Sequence, residues 1–172
     1  MDAPPTDDRD DTELIAAINA GDANAFEVLY HRHRDWVARL ARRFTGNDAD
    51  ALDVLQTTFI YLFRKFPGFT LTASLRTLLW TVVRSESLAL RRKRARSLAL
   101  TDEHLDVPAN PRGAGDVADL LVTLSPAHRY VVLMRFVDDL TIDEIAAALG
   151  IPAGTVKSRL HHAIAALRRA GI

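Results

Sequence analysis

Apolar residues recur at helical spacing through almost the whole chain, and no segment shows the strict alternation of a half-buried strand. A short helix is expected from about Asp11–Thr12 to Asn19, closed by Gly21. Asp22 then N-caps a long helix whose inner stripe is Phe26, Leu29, Tyr30, His33, Val37, Leu40, Ala41 and Phe44. On that stripe His33 reads as a packing residue. Gly46-Asn47-Asp48 breaks the chain and caps a third helix, Asp48–Phe66, with a core stripe of Leu52, Leu55, Phe59, Leu62, Phe63 and Phe66. A smaller apolar line, Val54 and Tyr61, runs along another side of it. That leaves two readings: a central helix, or one covered by a partner. After the turn at Pro67-Gly68-Phe69, a fourth helix spans Ser74–Arg96, with Leu75, Leu78, Leu79, Val82 and Val83 facing inward.

Residues 97–116 carry Pro108, Pro111, Gly113 and Gly115 without periodicity, so they read as a linker between two helical domains. A short helix over Val117–Leu124 follows, then Ser125-Pro126 as N-cap and first residue of another. The C-terminal stretch is the most sharply written. Thr141 and Glu144 form a T-x-x-E capping box, and Ile142, Ile145, Ala146 and Leu149 fall on one face. Gly150 ends that helix, and Pro152 suits the start of the next, which buries Val156, Leu160, Ala163, Ile164 and Leu167. Its other side shows Thr155, Lys157, Ser158, Arg159, His161 and His162. The fold class is therefore all-α: two small helical domains, the second built on a helix-turn-helix or, in the plainer reading, on a helical hairpin.

Composition narrows the chemistry. In 172 residues, 48% hydrophobic, there is enough apolar surface for two cores. No apolar run reaches membrane-spanning length, and the N-terminus MDAPPTDDRDD has no apolar signal segment, so a cytoplasmic protein with no membrane insertion is expected. The absence of cysteine excludes disulfides, thiol catalysis and Cys-ligated zinc. The six histidines form no metal-ligand motif, and no cofactor or metal is expected.

The 22 basic and 22 acidic residues cancel overall but are segregated. Residues 1–13 hold six acids against Arg9, and residues 1–10 read as a disordered acidic N-terminus. Residues 84–96 hold six bases against Glu86, which points to an anionic partner for one face. Along the fourth helix, Thr77, Trp80, Thr81, Arg84 and Arg91 share a line that runs into Arg92-Lys93. A ring with phosphate ligands beside it suits unpaired DNA, because every base offers a face to stack on. The alternative places Trp80 in the core beneath a solvated basic end.

These pieces together resemble the extracytoplasmic-function (group IV) sigma factors of bacterial RNA polymerase. The resemblance rests on GDANAFEVLYHRH, DADALDVLQTTFIYLFRKF and ASLRTLLWTVVRSESLALRRKRAR in the first domain. In the second it rests on the run that includes EIAAALGIPAGTVKSRL. It implies sigma region 2 over residues 11–96, a linker over 97–116 that threads past the polymerase near the RNA exit, and sigma region 4 over 117–172. Asp50, Asp53, Val54, Gln56, Thr57 and Tyr61 would meet the clamp helices of the polymerase's largest subunit. Phe69 would lie in the loop that captures a flipped base. Arg76, Thr77, Trp80, Thr81, Arg84, Arg91, Arg92 and Lys93 would bind the opened minus-10 element. Thr155, Lys157, Ser158, Arg159, His161 and His162 would face the minus-35 duplex. The implied partners are core RNA polymerase, including its flap region, promoter DNA both duplex and single-stranded, and an anti-sigma factor. No bond chemistry is implied, so no enzyme is expected.

The chain departs from the common pattern at Thr57, Leu78, Ser85 and most visibly at His161-His162, where relatives favour arginine or an aromatic with arginine. This substitution predicts minus-35 binding that weakens electrostatically or varies between about pH 6 and 7. Two other functions fit parts of the sequence. A helix-turn-helix regulator acting without polymerase leaves Asp48–Phe66 and Ser74–Arg96 unexplained. A sigma-like mimic that sequesters an anti-sigma factor has no need for Arg91-Arg92-Lys93-Arg94 or GTVKSRL.

Overall fold

The computed structural model describes residues 7–97 and 121–170, and every regular element among them is helical. The expected linker and the start of the Val117–Leu124 helix lie outside the described residues. An N-terminal bundle comprises α1 (Asp11–Asn19), α2 (Ala23–Thr45), α3 (Asp48–Phe63) and α4 (Leu75–Ser97). A C-terminal unit comprises α5 (Pro126–Phe136), α6 (Ile142–Leu149) and α7 (Ala153–Arg169).

The helix starts follow from side chains that satisfy first-turn amides. Asp10 makes a full capping box with Glu13 at α1, and Asp22 accepts from the Ala25 amide at α2. Asn47 accepts from Asp50 at α3, Ser125 from His128 at α5, and Thr141 forms the box with Glu144 at α6. Two ends need a left-handed residue. Gly46 closes α2 at φ 79° and Gly150 closes α6 at φ 64°, where a side chain would be strained. Helix α3 stops at Phe63, three residues short of the expected end, and Lys65 and Phe66 continue only as tighter i→i+3 bonds. Pro67 disfavours a helical conformation for the residue before it, which ends the winding.

Within the bundle α2 packs against α1, α3 and α4. The buried side of α3 is Ala51, Val54, Thr58, Phe59 and Leu62. This rotates the helix from the expected stripe: Val54 is in the core, while Leu52 and Phe63 are 57% and 60% exposed. His33 is buried as expected, and its Nε2 meets the Asp11 carboxylate at 2.9 Å. The chain before α1 is tied down from residue 7 onward, in contrast to the disorder expected through residue 10. Arg9 bonds both Asp7 and Asp22, and Arg32 donates to Asp11 and to the carbonyls of Asp7 and Arg9. Residues 1–6 lie outside the described residues.

The C-terminal unit closes on Val131, Met134, Leu140, Ile145, Val156 and Ala163. It also packs on the N-terminal bundle, with α6 against α4. One apolar cluster runs through both units.

Candidate nucleic-acid interface

Helix α7 presents the open half of the interface. Val156, Leu160 and Ala163 anchor it on one side, which leaves Lys157, Ser158, His161 and His162 exposed on the other, with Thr155 and Arg159 half-buried beside them. The His162 ring lies 6.3 Å from that of His128 in α5, tilted by 30°. No side chain caps the first turn of α7. Nothing lies within 4 Å of where a Cβ on Gly154 would stand, so the helix start has room for close approach of another molecule.

The α4 face is different. Trp80 is 1% exposed and Thr77 6%, so the stacking platform expected on this helix is not presented to solvent. Thr81 is exposed, Arg76, Arg84 and Arg91 are half-buried, and Arg92 and Lys93 are exposed towards the end of the helix. The cover over Trp80 is the C-terminal unit. Its ring meets Phe44 edge-on at 5.9 Å and Tyr130 of α5 at 6.1 Å, and its Nε1 donates to Asp138 at 3.1 Å. Arg84 lies over the Tyr130 ring and donates from Nε to its hydroxyl. Burial of Trp80 satisfies its N–H, as a buried indole requires.

Asp138 is the centre of this junction and is 4% exposed. Its carboxylate accepts from Trp80 and from Arg43 at 2.5 Å, and its carbonyl accepts from Trp36 Nε1 at 3.0 Å. Burial pushes its pKa above the ordinary carboxylate value, outweighing the opposing pull of Arg43 and Trp80. Asp139, the next residue, sits at φ 55° and contacts Arg76 through its carbonyl. At the rim Ser74 donates to Glu144 at 2.6 Å. That bond, with the Thr141 amide, holds the Glu144 pKa down against partial burial.

The loop after α3 is held from α1. The Asn19 side chain accepts from the amides of Gly68 and Phe69 and donates to the Phe69 carbonyl, so one residue fixes three backbone groups. Phe69 is half-buried, edge-on to Phe66 at 5.5 Å. Between this loop and α1 lies an open cleft of about 840 Å³, lined in part by Asp11, Ile15, Arg32, Leu71 and Leu75.

On α3, four of the residues expected to meet a partner (Asp53, Gln56, Thr57 and Tyr61) are exposed, and two are not. Val54 is buried, and Asp50 is 2% exposed, bonded by Asn47 and ion-paired with Arg94. A first-turn carboxylate that bonds the N-cap side chain and meets a cation from α4 has a structural task already. The exposed face instead includes Leu52, Ile60 and Phe63, an apolar patch beside the polar four.

Asn19, Trp36, Tyr130 and Asp138 emerge only from the structure. The one signal for Asp138 is that two adjacent acids, Asp138-Asp139, close the otherwise apolar run VVLMRFV immediately ahead of a capped helix.

Residues 29–97 match the family model for sigma-70 region 2, and residues 120–169 match that for sigma-70, region 4. Two helical units in this order define the architecture of a sigma-70-type factor. The chain is 34% identical to the ECF RNA polymerase sigma factor SigE of Mycolicibacterium smegmatis, over 95% of this chain and 68% of that protein. It is 35% identical to SigL of Mycobacterium tuberculosis, over 90% and 93%. Among solved structures it resembles CnrH in complex with the cytosolic domain of CnrY, at a TM-score of 0.66 and 25% identity, covering 93% and 96% of the two chains. The fold also matches the sigma factor RpoE bound to the anti-sigma factor NepR from Bartonella quintana, with a TM-score of 0.62 and 23% identity over 86% and 96%. The chain belongs to the ECF RNA polymerase sigma factors.

Proposed function

We propose that this protein is the promoter-reading subunit of an RNA polymerase holoenzyme, with region 2 in the N-terminal bundle, region 4 in the C-terminal unit and a linker between them. The observation that carries this reading is the presence, in one chain of this family, of an open cationic recognition helix and an uncovered apolar face on α3. Helix α7 enters the major groove of the minus-35 element. Lys157 and Thr155 take phosphate, while Ser158, Arg159, His161 and His162 face bases or backbone. The open first turn of α7 favours an adjacent phosphate. The α3 face, with Asp53, Gln56, Thr57 and Tyr61 beside Leu52, Ile60 and Phe63, docks on the clamp of core polymerase.

The loop carrying Phe69 receives a flipped base, and Arg76, Thr77, Trp80, Thr81, Arg84, Arg91, Arg92 and Lys93 hold the opened minus-10 strand. Extruding a base costs a few kcal/mol of lost stacking, which pocket contacts and aromatic stacking offset. Duplex binding by α7 sets the register at which this happens. The protein itself breaks no bond and works as a cytoplasmic regulator. The sigma factor RpoE, of like fold, is bound to an anti-sigma factor, and regulation by such a partner is part of this reading.

Reconstituted transcription tests this. The chain added to core polymerase is expected to co-elute with it and to start transcripts at a candidate promoter. Duplex binding without core, or failure to co-elute, would leave a stand-alone regulator as the better reading. Replacing Arg91, Arg92 and Lys93 with Ala should abolish opening and spare core binding.

A further inference from the structure

The histidines of the two units are kept in opposite ways. His31 and His33 in the N-terminal bundle each have a carboxylate within reach, Glu27 at 3.8 Å and Asp11 at 2.9 Å. In the C-terminal unit His128, His161 and His162 pair with no acid among the described residues. They are nonetheless gathered. The His162 ring stands 5.5 Å from that of His161 on its own helix and 6.3 Å from that of His128 on α5. Three imidazoles thus form a row across the surface, from the first turn of α5 to the exposed face of α7.

The charged groups of the surrounding elements are mostly basic. On α7, Lys157 is exposed one turn before His161, Arg159 is half-buried, and Arg168 and Arg169 follow in the last turn. On α5, Arg129 is turned to the carbonyls of Leu121, Val122 and Leu124, and Arg135 to Asp139. The acids of α6 do not serve the row. Glu144 bonds Ser74 and the Thr141 amide, and Asp143 forms no ion pair among the described residues. Charging such a row places like charges side by side with no acid to neutralise them. An anion laid along it removes that cost. The DNA backbone is such an anion, with a phosphate on each strand about every 3.4 Å. His128 lies off α7, so it widens the polar face beyond the one helix, on the flank where a groove-bound helix meets backbone and not bases.

We propose that His128 joins His161 and His162 in a proton-linked phosphate site: the row takes up protons as duplex DNA binds, so the affinity of the C-terminal unit for duplex rises as pH falls from about 8 to about 6. The assignment of α7 to duplex rests on the function proposed above; the juxtaposition of the three rings does not. A complex that holds more protons than its separate partners is strengthened by acid. Each ring charged against a phosphate adds about one to the slope of log affinity against log salt.

The test measures binding of a labelled random-sequence duplex pool by the chain alone and by the chain with core polymerase, at about pH 8 and about pH 6. The readout is the ratio of parent to variant affinity, which cancels what the polymerase contributes. H128Q should match the parent at the higher pH and bind about threefold more weakly at the lower, with a salt slope smaller by about one. The double variant H128Q/H162Q should lose about tenfold at the lower pH. H162R carries its charge at both pH values, so it should bind about threefold more tightly than the parent at the higher pH and respond less to acid.

Equal affinity of parent and double variant at the lower pH, or an equal loss at both pH values, overturns the proposal. A response lost in H162Q but intact in H128Q confines it to α7 and overturns the role of His128. If H128Q loses helical circular dichroism, H162Q decides alone, and an unmoved pH response overturns the row. A chain that never co-elutes with core polymerase but shows the response by itself supports the row while sinking the sigma-factor reading. One that co-elutes and shows no difference between parent and double variant sinks the row alone.

Discussion

The exposed polar face of α7 and the polar face of α4 are built from the same materials, hydroxyls, bases and rings at helical spacing, yet they sit in opposite surroundings. On α7, Lys157, Ser158, His161 and His162 face solvent, and the stability of the unit depends on the other side of the helix, Val156, Leu160 and Ala163. On α4, Trp80 and Thr77 are as deeply placed as the aliphatic core; the Trp80 indole donates to the other unit, while Thr77 bonds to Ser74 and Thr81 beside it. Similar residue patterns therefore do different work according to what covers them. On α7 the exposed polar side chains take no part in the packing; on α4 the buried ones belong to it.

The largest effect expected from this contrast is on stability. Trp80→Ala should cost about 3–5 kcal/mol, as for other buried aromatic truncations, and loosen the contact between the units. A urea titration followed by circular dichroism reads it. A loss below about 1 kcal/mol would mean the α4 face is not part of the packed structure. Asn19→Ala comes next, at about 1–3 kcal/mol for loop groups left without their partner. Faster hydrogen exchange confined to the Gly68 and Phe69 amides would show that the loop, and not the bundle, has loosened.

A pH series separates two acids of opposite sign. The Asp11 carboxyl is half-buried, but hydrogen bonds from His33 and Arg32 hold its pKa below the usual value. Its contribution is present above the unfolded pKa, near 3.8, and is lost as pH falls through the lower folded value. Asp138 is displaced upward by burial against the pull of Arg43, Trp80 and Arg76. Its ionised form costs the packed junction at neutral pH. Acidification through the window between the raised folded value and 3.8 therefore tightens the junction. D11N should flatten the acid limb of the urea midpoint against pH, whereas D138N should remove the gain in midpoint that Asp138 gives on acidification. The same sign for both would contradict the burial assigned to Asp138.

The smallest effect on folding belongs to the open face. Lys157→Ala should change stability by less than about 0.5 kcal/mol, and the slope of duplex affinity against salt should fall by about one. A large loss of stability here would erase the contrast with α4.

The sequence shows the C-terminal helices almost in full because their signals are local. The Thr141–Glu144 box, Gly150 and the apolar spacing of α7 each act within a turn or two. It shows the line Thr77–Trp80–Thr81–Arg84 equally well, but periodicity cannot say whether such a line faces a strand of DNA or another helix. Asp50 fails for the same reason. In sequence it reads as part of a partner face, and its contacts with Asn47 and with Arg94 on α4 show only in three dimensions. The division between core and partner on α3 was blurred because Leu52 and Phe63 keep the spacing of core residues while lying at the exposed edge. Such information resides in tertiary contacts between distant segments, and no local pattern encodes it.

The hold of Asn19 on the Phe69 loop bears on where the reading device begins. The family match starts at residue 29, but the side chain that shapes the loop belongs to α1, ahead of it. A fragment trimmed to the matched segment would keep every residue named for minus-10 contact and lose the scaffold that sets the loop's shape. Substitutions in α1, remote from any DNA in sequence, should then alter promoter preference through geometry alone. If the loop receives a base as proposed, the specification of a promoter begins in α1, ahead of the residues proposed to touch DNA.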